Sequence, residues 1–435
     1  MDSQTQAQNL LELAKRAGAD AAEVYQLQTR SQAAYFDANH LKQIDSRESS
    51  GTALRLWQHN CPGLAVTQGV LDPHELVARA ITLAQLSPPQ LVNLPATRLC
   101  SSKLNRGKPA SQSQLIEWGY AVIESIHADS VQLACSAEMS CESETIYLAN
   151  SAGLECGYTD TTLRSFITTE WIRGHDFLCV EANQIRRDSI DRAQLIERTL
   201  QGLDWAAERV AAPSGAVPIL FTAKASEVIW DTVQTALNGQ RAADSVSPWS
   251  NYLNKMVLSP QLTLTQHPEV GPFSCPFDDE GMPSHMVELV SSGRLRGFFT
   301  DQTYGALLGV NSTGNGFRPH LHSYPAPELI NLLVTPGSHS FTELIQKIDD
   351  GLIVDQVLGE TRRVSGDLSF NVDLGYRVQQ GQVQGRVKDT VIRGNVYQAL
   401  NQLIALGNDN QWNDIYYSPS LLVAGFSVIP RVEIQ

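Results

Sequence analysis

No run in this sequence approaches the roughly 20 apolar residues that a bilayer-spanning helix needs, so no membrane span is expected. Nor is there a Lys/Arg-rich tract: 46 acidic residues stand against 32 basic ones, a formal charge of −14. An acidic surface repels phosphate backbones, which argues against direct nucleic-acid binding. The start, Met1 to Gln8, has no Lys or Arg ahead of its first apolar residues and does not read as a secretory signal. Cys-x-x-Cys pairs are absent as well. The seven cysteines (Cys61, Cys100, Cys135, Cys141, Cys156, Cys179 and Cys275) are odd in number and scattered. They read as free thiols of a reduced, cytoplasmic protein rather than as a disulfide framework. A Gly-x-Ser-x-Gly elbow in a strand–turn–helix setting, a fixed-period repeat and a low-complexity tract are also missing.

What is present is ordinary globular material, 42% hydrophobic and 18% charged. At 435 residues it exceeds one ordinary core, so more than one domain is expected. Leu10, Leu11, Leu13, Ala14 and Ala17 make a helical stripe that Gly18 ends. Short candidate strands follow at 22–28, 33–37, 41–45, 51–57 and 63–67, and Asp72 caps a second helix carrying Leu76, Val77, Ala80, Ile81 and Ala84. Residues 87–113 are rich in Pro, Ser and basic residues and read as an extended connector. Beyond it the pattern predicts a helix over 114–127, strands over 131–139, 145–149 and 161–171, and a helix over 192–210. Ala211-Ala212-Pro213-Ser214-Gly215 breaks the chain. The later half opens with a strand over 217–222 and a helix over 224–237, then is dominated by strand and turn signals. Among these are hairpins around Ser291-Ser292-Gly293-Arg294 and Gln380-Gly381, and one further helix over 396–406. The fold class is α+β: an N-terminal α+β domain over 1–213 and a β-rich domain with few helices over 214–435.

One segment carries most of the specific signal. Phe277-Asp278-Asp279-Glu280-Gly281 is followed by the Ser292-Gly293 hairpin and then by Ser312-Thr313-Gly314-Asn315-Gly316-Phe317-Arg318. With the N-terminal LLELAKRAGADAAEV and ESSGTALRLW stretches, Thr335-Pro336-Gly337, Ser365-Gly366-Asp367 and Gly394-Asn395, this order resembles the TldD/PmbA family, the "modulators of DNA gyrase", across almost the whole chain. The resemblance implies a peptidase fold. Its active members carry His-Glu-x-x-x-His on the helix that opens the C-terminal domain, and a Cys near the C-terminus. Two imidazoles and a thiolate would hold Zn²⁺ while the Glu acts as general base on bound water. Here that helix carries Trp230 and Asp231 where His-Glu would stand and Thr235 where the second His would stand, and no cysteine follows Cys275. Indole cannot ligate zinc and a Thr hydroxyl is a poor substitute for imidazole. The C-terminal Tyr417-Ser418-Pro419-Ser420 resembles the PmbA/TldE branch, whose members lack the ligands.

The other candidates each have a plain structural reading. His74-Glu75 lacks a partner His one helical turn on. His320 and His322 would share a face if extended, but need a third ligand; a solvated pair or peptide contact is the alternative. Asp278, Asp279 and Glu280 suit a cation or a peptide amine, or else cap backbone N–H groups at a turn. Thr313 and Asn315 lie in a glycine-rich loop without the Lys and helix of a nucleotide site, and Arg318 suits a peptide carboxylate or a salt bridge. Together these are candidates for a peptide groove. The resemblance implies a chain with no cofactor of its own that supports a zinc-bearing TldD-like partner in processing small unfolded peptides. Two other readings stand: an active metallopeptidase with unconventional ligands, and a homodimeric peptide-binding scaffold.

Overall fold

A computed structural model describes residues 2–431 apart from 71, 91, 97–103, 131 and 175. Cys100 and part of the 87–113 connector lie outside the described residues. The described part of the connector holds a short strand, Leu104–Arg106, and ends where Ser111 caps helix Gln112–Asp129 through a reciprocal capping box with Gln114.

Residues before 187 build one seven-stranded sheet. Its strands run Cys61–Gln68, His40–Gln58, Ala21–Asp37, Ala134–Asn150 and Glu155–Arg173 in spatial order, with Leu104–Arg106 and Asp176–Arg186 both paired to the last. The 17- and 19-residue strands Ala21–Asp37 and His40–Gln58 replace the four shorter ones expected between 22 and 57. Their middles hold no fully buried residue, Thr29–Gln32 being mostly half-buried and Ser46–Ser50 exposed, so the apolar alternation lapses while backbone pairing continues unbroken from Ala21↔Trp57 to Ala33↔Asp45. The hairpin turns at Ala38-Asn39 and His59-Asn60 hold both central residues at positive φ, which matches the twist of the flanking strands.

Helices Ser3–Arg16 and Pro73–Ala84 cover one end of this sheet around Leu10, Leu54, Leu56 and Leu76. Helices Gln112–Asp129 and Arg192–Trp205 pack at the other end. The core under these two helices is shared with later residues, including Leu220, Leu344, Ile353 and Tyr376. The interior is therefore continuous across the chain break at 211–215.

The later residues form a nine-stranded and a six-stranded sheet. In the nine-stranded sheet Ile219–Phe221 lies between Leu421–Val423 and Asp350–Arg362, and is fully buried. The six-stranded sheet includes Leu264–Gln266, Leu332–Val334 and Tyr416–Ser418. Between the two sheets sits helix Glu227–Leu237, sealed in a cluster with Phe221, Phe370 and Phe426. The expected helix over 396–406 stops at Asn401, and Leu403–Leu406 is instead an edge strand paired with Leu421–Val423. The expected helix over 192–210 likewise ends at Trp205.

Candidate functional site

Helix Glu227–Leu237 directly follows the central strand Ile219–Phe221, so the sheet fixes where its first turn lies. Trp230 is 0% exposed, and its indole N–H donates to Ser226 Oγ at 3.1 Å. Ser226 Oγ in turn lies 2.7 Å from Ser418 Oγ, on the strand Tyr416–Ser418. Thr235 Oγ1 donates at 3.0 Å to the Asp231 carbonyl in its own helix. Asp231 is bound to the Arg362 guanidinium and accepts from the Tyr416 hydroxyl at 2.5 Å; Tyr416 also meets Gln234. One turn earlier, Glu227 accepts from Asn413 Nδ2, and Asn413 Oδ1 accepts from Asn183 at 2.7 Å.

These donors do not fit zinc. An indole N–H, two hydroxyls already bonded and one arginine-paired carboxylate supply neither imidazole nor thiolate. Among the described residues no group of three or more His, Cys, Asp or Glu is placed to hold a metal ion.

The polar face of this helix borders a cavity of about 260 Å³ with Lys224 and Asp355. Lys224 Nζ donates to the Glu181 carbonyl at 2.7 Å and pairs with Asp355 at 2.8 Å. Burial, reinforced by the charges of Asp231 and Asp414, pushes Glu227 up to about 7. Burial also raises Glu181 and, with Asp231 next in effect, Tyr416. The cavity continues past Lys224, Asp355 and Asn183 into a second of about 340 Å³, which reaches Arg198 and Gln411. The whole cleft runs between strand Asp176–Arg186 with helix Arg192–Trp205 on one side and the C-terminal sheets on the other.

The Asp278–Glu280 cluster lies elsewhere and is buried, at 0%, 6% and 6% exposure. Asp278 accepts from the backbone N–H groups of Glu280, Met282 and Gly316, Asp279 from that of Arg318, and Glu280 from that of Gln302. Desolvation raises all three carboxyls, Asp279 to about 6 and Glu280 to about 7. The Arg318 guanidinium is 2% exposed and donates to Glu23 Oε1 at 2.7 Å, while Arg55 donates to Glu23 Oε2 at 2.9 Å. Glu23 belongs to strand Ala21–Asp37, so this ion cluster fastens the segment around 318 to the N-terminal sheet. Gly314, at φ +72°, passes so close to Pro283 that a Cβ would sit 2.5 Å from its carbonyl oxygen. That close backbone approach is what the glycine-rich loop serves. Thr313 donates to Asn315 at 2.7 Å, and the fully buried Asn315 is held by Gln266 and Glu328.

Asp279, Arg318 and His320 do share the wall of a cavity of about 440 Å³ with Tyr25 and Tyr158. His322 does not line it, although its ring stacks on His320 with centroids 5.3 Å apart; both imidazoles are exposed. Residues that sequence reasoning missed include Lys224, Arg198, Arg362, Asn413 and Tyr416. They come from five separate elements or loops, and no local spacing marks them.

The mix of helices and sheets, with a strand-rich C-terminal region around a buried helix, has counterparts among known proteins. Residues 214–430 match the family described as the PmbA/TldA metallopeptidase C-terminal domain. A "Metalloprotease" of Methanothermobacter thermautotrophicus is 24% identical over 387 residues, covering 85% of this chain and 84% of that protein. The "Metalloprotease TldD homolog" of Buchnera aphidicola (from Schizaphis graminum) is 26% identical over 204 residues, 46% of this chain and 42% of the relative. For such relatives, the match thus spans less than half of their length. The structure of TldE from Thermococcus kodakarensis superposes with a TM-score of 0.89 at 22% identity, covering 97% of this chain and 99% of that one, which shows a shared fold. The chain belongs to the TldD/PmbA family.

Proposed function

We propose that this chain is a metal-free, non-catalytic subunit of a peptidase complex that processes small unfolded peptides, with zinc and cleavage supplied by a TldD-like partner. The observation that carries the reading is Trp230. The position where the family's first histidine is expected holds a fully buried indole committed to Ser226, in a packed core with no room for water or substrate. What remains at the helix is a polar cleft suited to holding an extended chain: carboxylates, amides and one lysine on rigid elements. This chain forms part of the groove wall and stabilises the active subunit. Its relatives are named metalloproteases, and that activity belongs in this account to the complex.

A surface feature supports association. Ile172 and Phe177 are cross-strand partners, 70% and 48% exposed, and Phe166, 43% exposed, lies on the same strand and face as Ile172. Apolar residues grouped this way at a sheet end fit a partner subunit, which is either the zinc-bearing chain or a second copy of this one. A cytoplasmic location is part of the proposal; the six described cysteines are unpaired, as a reducing compartment favours. Among the described residues no helix is long and apolar enough to cross a membrane.

The test is reconstitution. The purified chain alone is expected to cleave no peptide, and to raise or reshape cleavage when mixed with an HExxxH-bearing family member from the same cell. Chelator-sensitive cleavage by the chain alone would overturn the proposal. A stable homodimer that ignores the HExxxH chain would favour the scaffold reading.

A further inference from the structure

The cleft has a third compartment, and its chemistry differs from the rest of this acidic protein. Beyond Arg198, Gln194 and Gln411, which both compartments share, the space opens into a cavity of about 530 Å³. Among the described residues three arginines line it, Arg186, Arg187 and Arg198, and no Asp or Glu does, on a chain whose formal charge is −14. Arg186 is engaged by Gln194 at 2.8 Å and by Asp191 at 3.7 Å. Arg187 spends Nη1 on Asp160 and Nε on the Gly271 carbonyl, but its buried Nη2 has no partner among the described residues. Arg198 has neither a hydrogen bond nor an ion pair among the described residues. Burial is the main influence on it and disfavours its charge; Asp355 and Asp409 exert the largest favourable effects, ahead of Glu197, and both hold other groups. Asp355 pairs with Lys224, and Asp409 takes the N–H and hydroxyl of Ser420.

The same cavity offers acceptors and an apolar wall. Asn410 Oδ1 and Gln411 Oε1 are buried without partners among the described residues; the Asn410 orientation is set by its Nδ2, which donates to the Val334 carbonyl at 2.9 Å. Trp412 and Tyr417, with ring centroids 5.0 Å apart, form one side. Unpaired guanidinium donors, unpaired amide acceptors and an aromatic surface lining one cavity match one peptide element. A terminal residue carries its carboxylate and its own N–H two bonds apart, with its side chain beside them. An acidic side chain would set its carboxylate one or more methylenes further from the backbone.

We infer that this compartment is a subsite for the free C-terminal carboxylate of a peptide, received by Arg198 and Arg187, with the last side chain against Trp412 and Tyr417. The inference rests on the peptide-groove reading and deepens it. It also sets a direction: the peptide runs from Arg198 past Lys224 toward Asp231, placing its N-terminal part at the acidic end of the cleft.

The experiment is fluorescence anisotropy of the full chain with an N-terminally labelled pentapeptide ending in phenylalanine, prepared as the free acid and as the C-terminal amide. The free acid is expected to bind about tenfold more tightly or better, as for loss of a charge-assisted contact. R198Q should bring it down to the level of the amide, and R198K should retain part of the difference. A thermal melt of each variant confirms folding. Acid and amide binding equally, or R198Q leaving the preference intact, overturns the carboxylate subsite while the groove reading stands. Inorganic phosphate displacing the free acid far better than acetate does would assign the arginines to a phosphate ligand and also overturn it. No binding of either peptide up to about 1 mM overturns the subsite and the groove reading together.

Discussion

Replacing Trp230 with alanine removes an indole that is 0% exposed between the two C-terminal sheets. Truncating a buried aromatic of this size costs about 3–5 kcal/mol, because the surroundings close only partly over the cavity. The lost N–H bond to Ser226 adds about 1 kcal/mol. W230A is therefore expected near the upper end of that range, and W230F, which keeps most of the volume, at about 1–2 kcal/mol. Thr235 makes a contrasting control. Its hydroxyl bonds only the carbonyl four residues earlier, an interaction that does little for a helix, so T235A should stay within about 0.5 kcal/mol of the parent. Urea denaturation followed by far-ultraviolet circular dichroism and tryptophan fluorescence reads both variants, each with and without EDTA. If these positions took part in a metal centre, both substitutions would cost stability and EDTA would lower the parent's midpoint. A W230A cost below about 1 kcal/mol, or an EDTA-dependent midpoint, would refute the packing argument.

Three further outcomes follow. E23Q leaves the 2%-exposed Arg318 guanidinium and the 11%-exposed Arg55 without their shared carboxylate, and is expected to cost about 3–5 kcal/mol; a loss under about 1 kcal/mol in the same denaturation assay would show that the cluster is not what fastens the 318 segment. Glu227 titrates near 7 in the folded chain against an ordinary 4.5, so the fold favours its protonated form; that contribution is full below 4.5 and is lost as pH rises through 7. E227Q should accordingly gain about 1–2 kcal/mol on the parent between pH 5 and 8 after allowance for solvent screening, and a pH-independent difference would contradict the assignment. The exposed, stacked His320 and His322 support no other group in the described structure beyond each other, so the double alanine variant should shift stability by less than about 0.5 kcal/mol and leave the zinc content of the chain unchanged.

Much of the architecture was readable in advance because local chemistry sets it. Asp72 and Ser111 cap their helices where the helical stripes begin, and Ser292-Gly293 and Gln380-Gly381 close hairpins at positive φ. The errors came where tertiary structure overrides local pattern. The long N-terminal hairpin loses its apolar alternation because its middle buries no residue fully, yet the strands continue. Leu403–Leu406 looks helical by sequence but pairs as an edge strand, since Leu421–Val423 lies open beside it. The site divides the same way. Trp230, Asp231 and Thr235 were identifiable from one helix. Tyr416, Arg362 and Asn413 meet that helix only through sheet topology. The acidic Asp278–Glu280 run looks like a ligand site in one dimension, and in three its buried carboxylates accept from backbone N–H groups, those of Gly316 and Arg318 among them.

The central proposal, that this chain brings no catalytic metal of its own, is tested most directly by metal analysis. The full chain, expressed with zinc in the medium and purified without chelator, is analysed by inductively coupled plasma mass spectrometry against protein concentration, alongside an HExxxH-bearing family member handled identically. Zinc far below stoichiometric in this chain and close to stoichiometric in the comparison protein is the expected result. Zinc near one per chain here, removed by chelator together with peptide cleavage, would contradict the account.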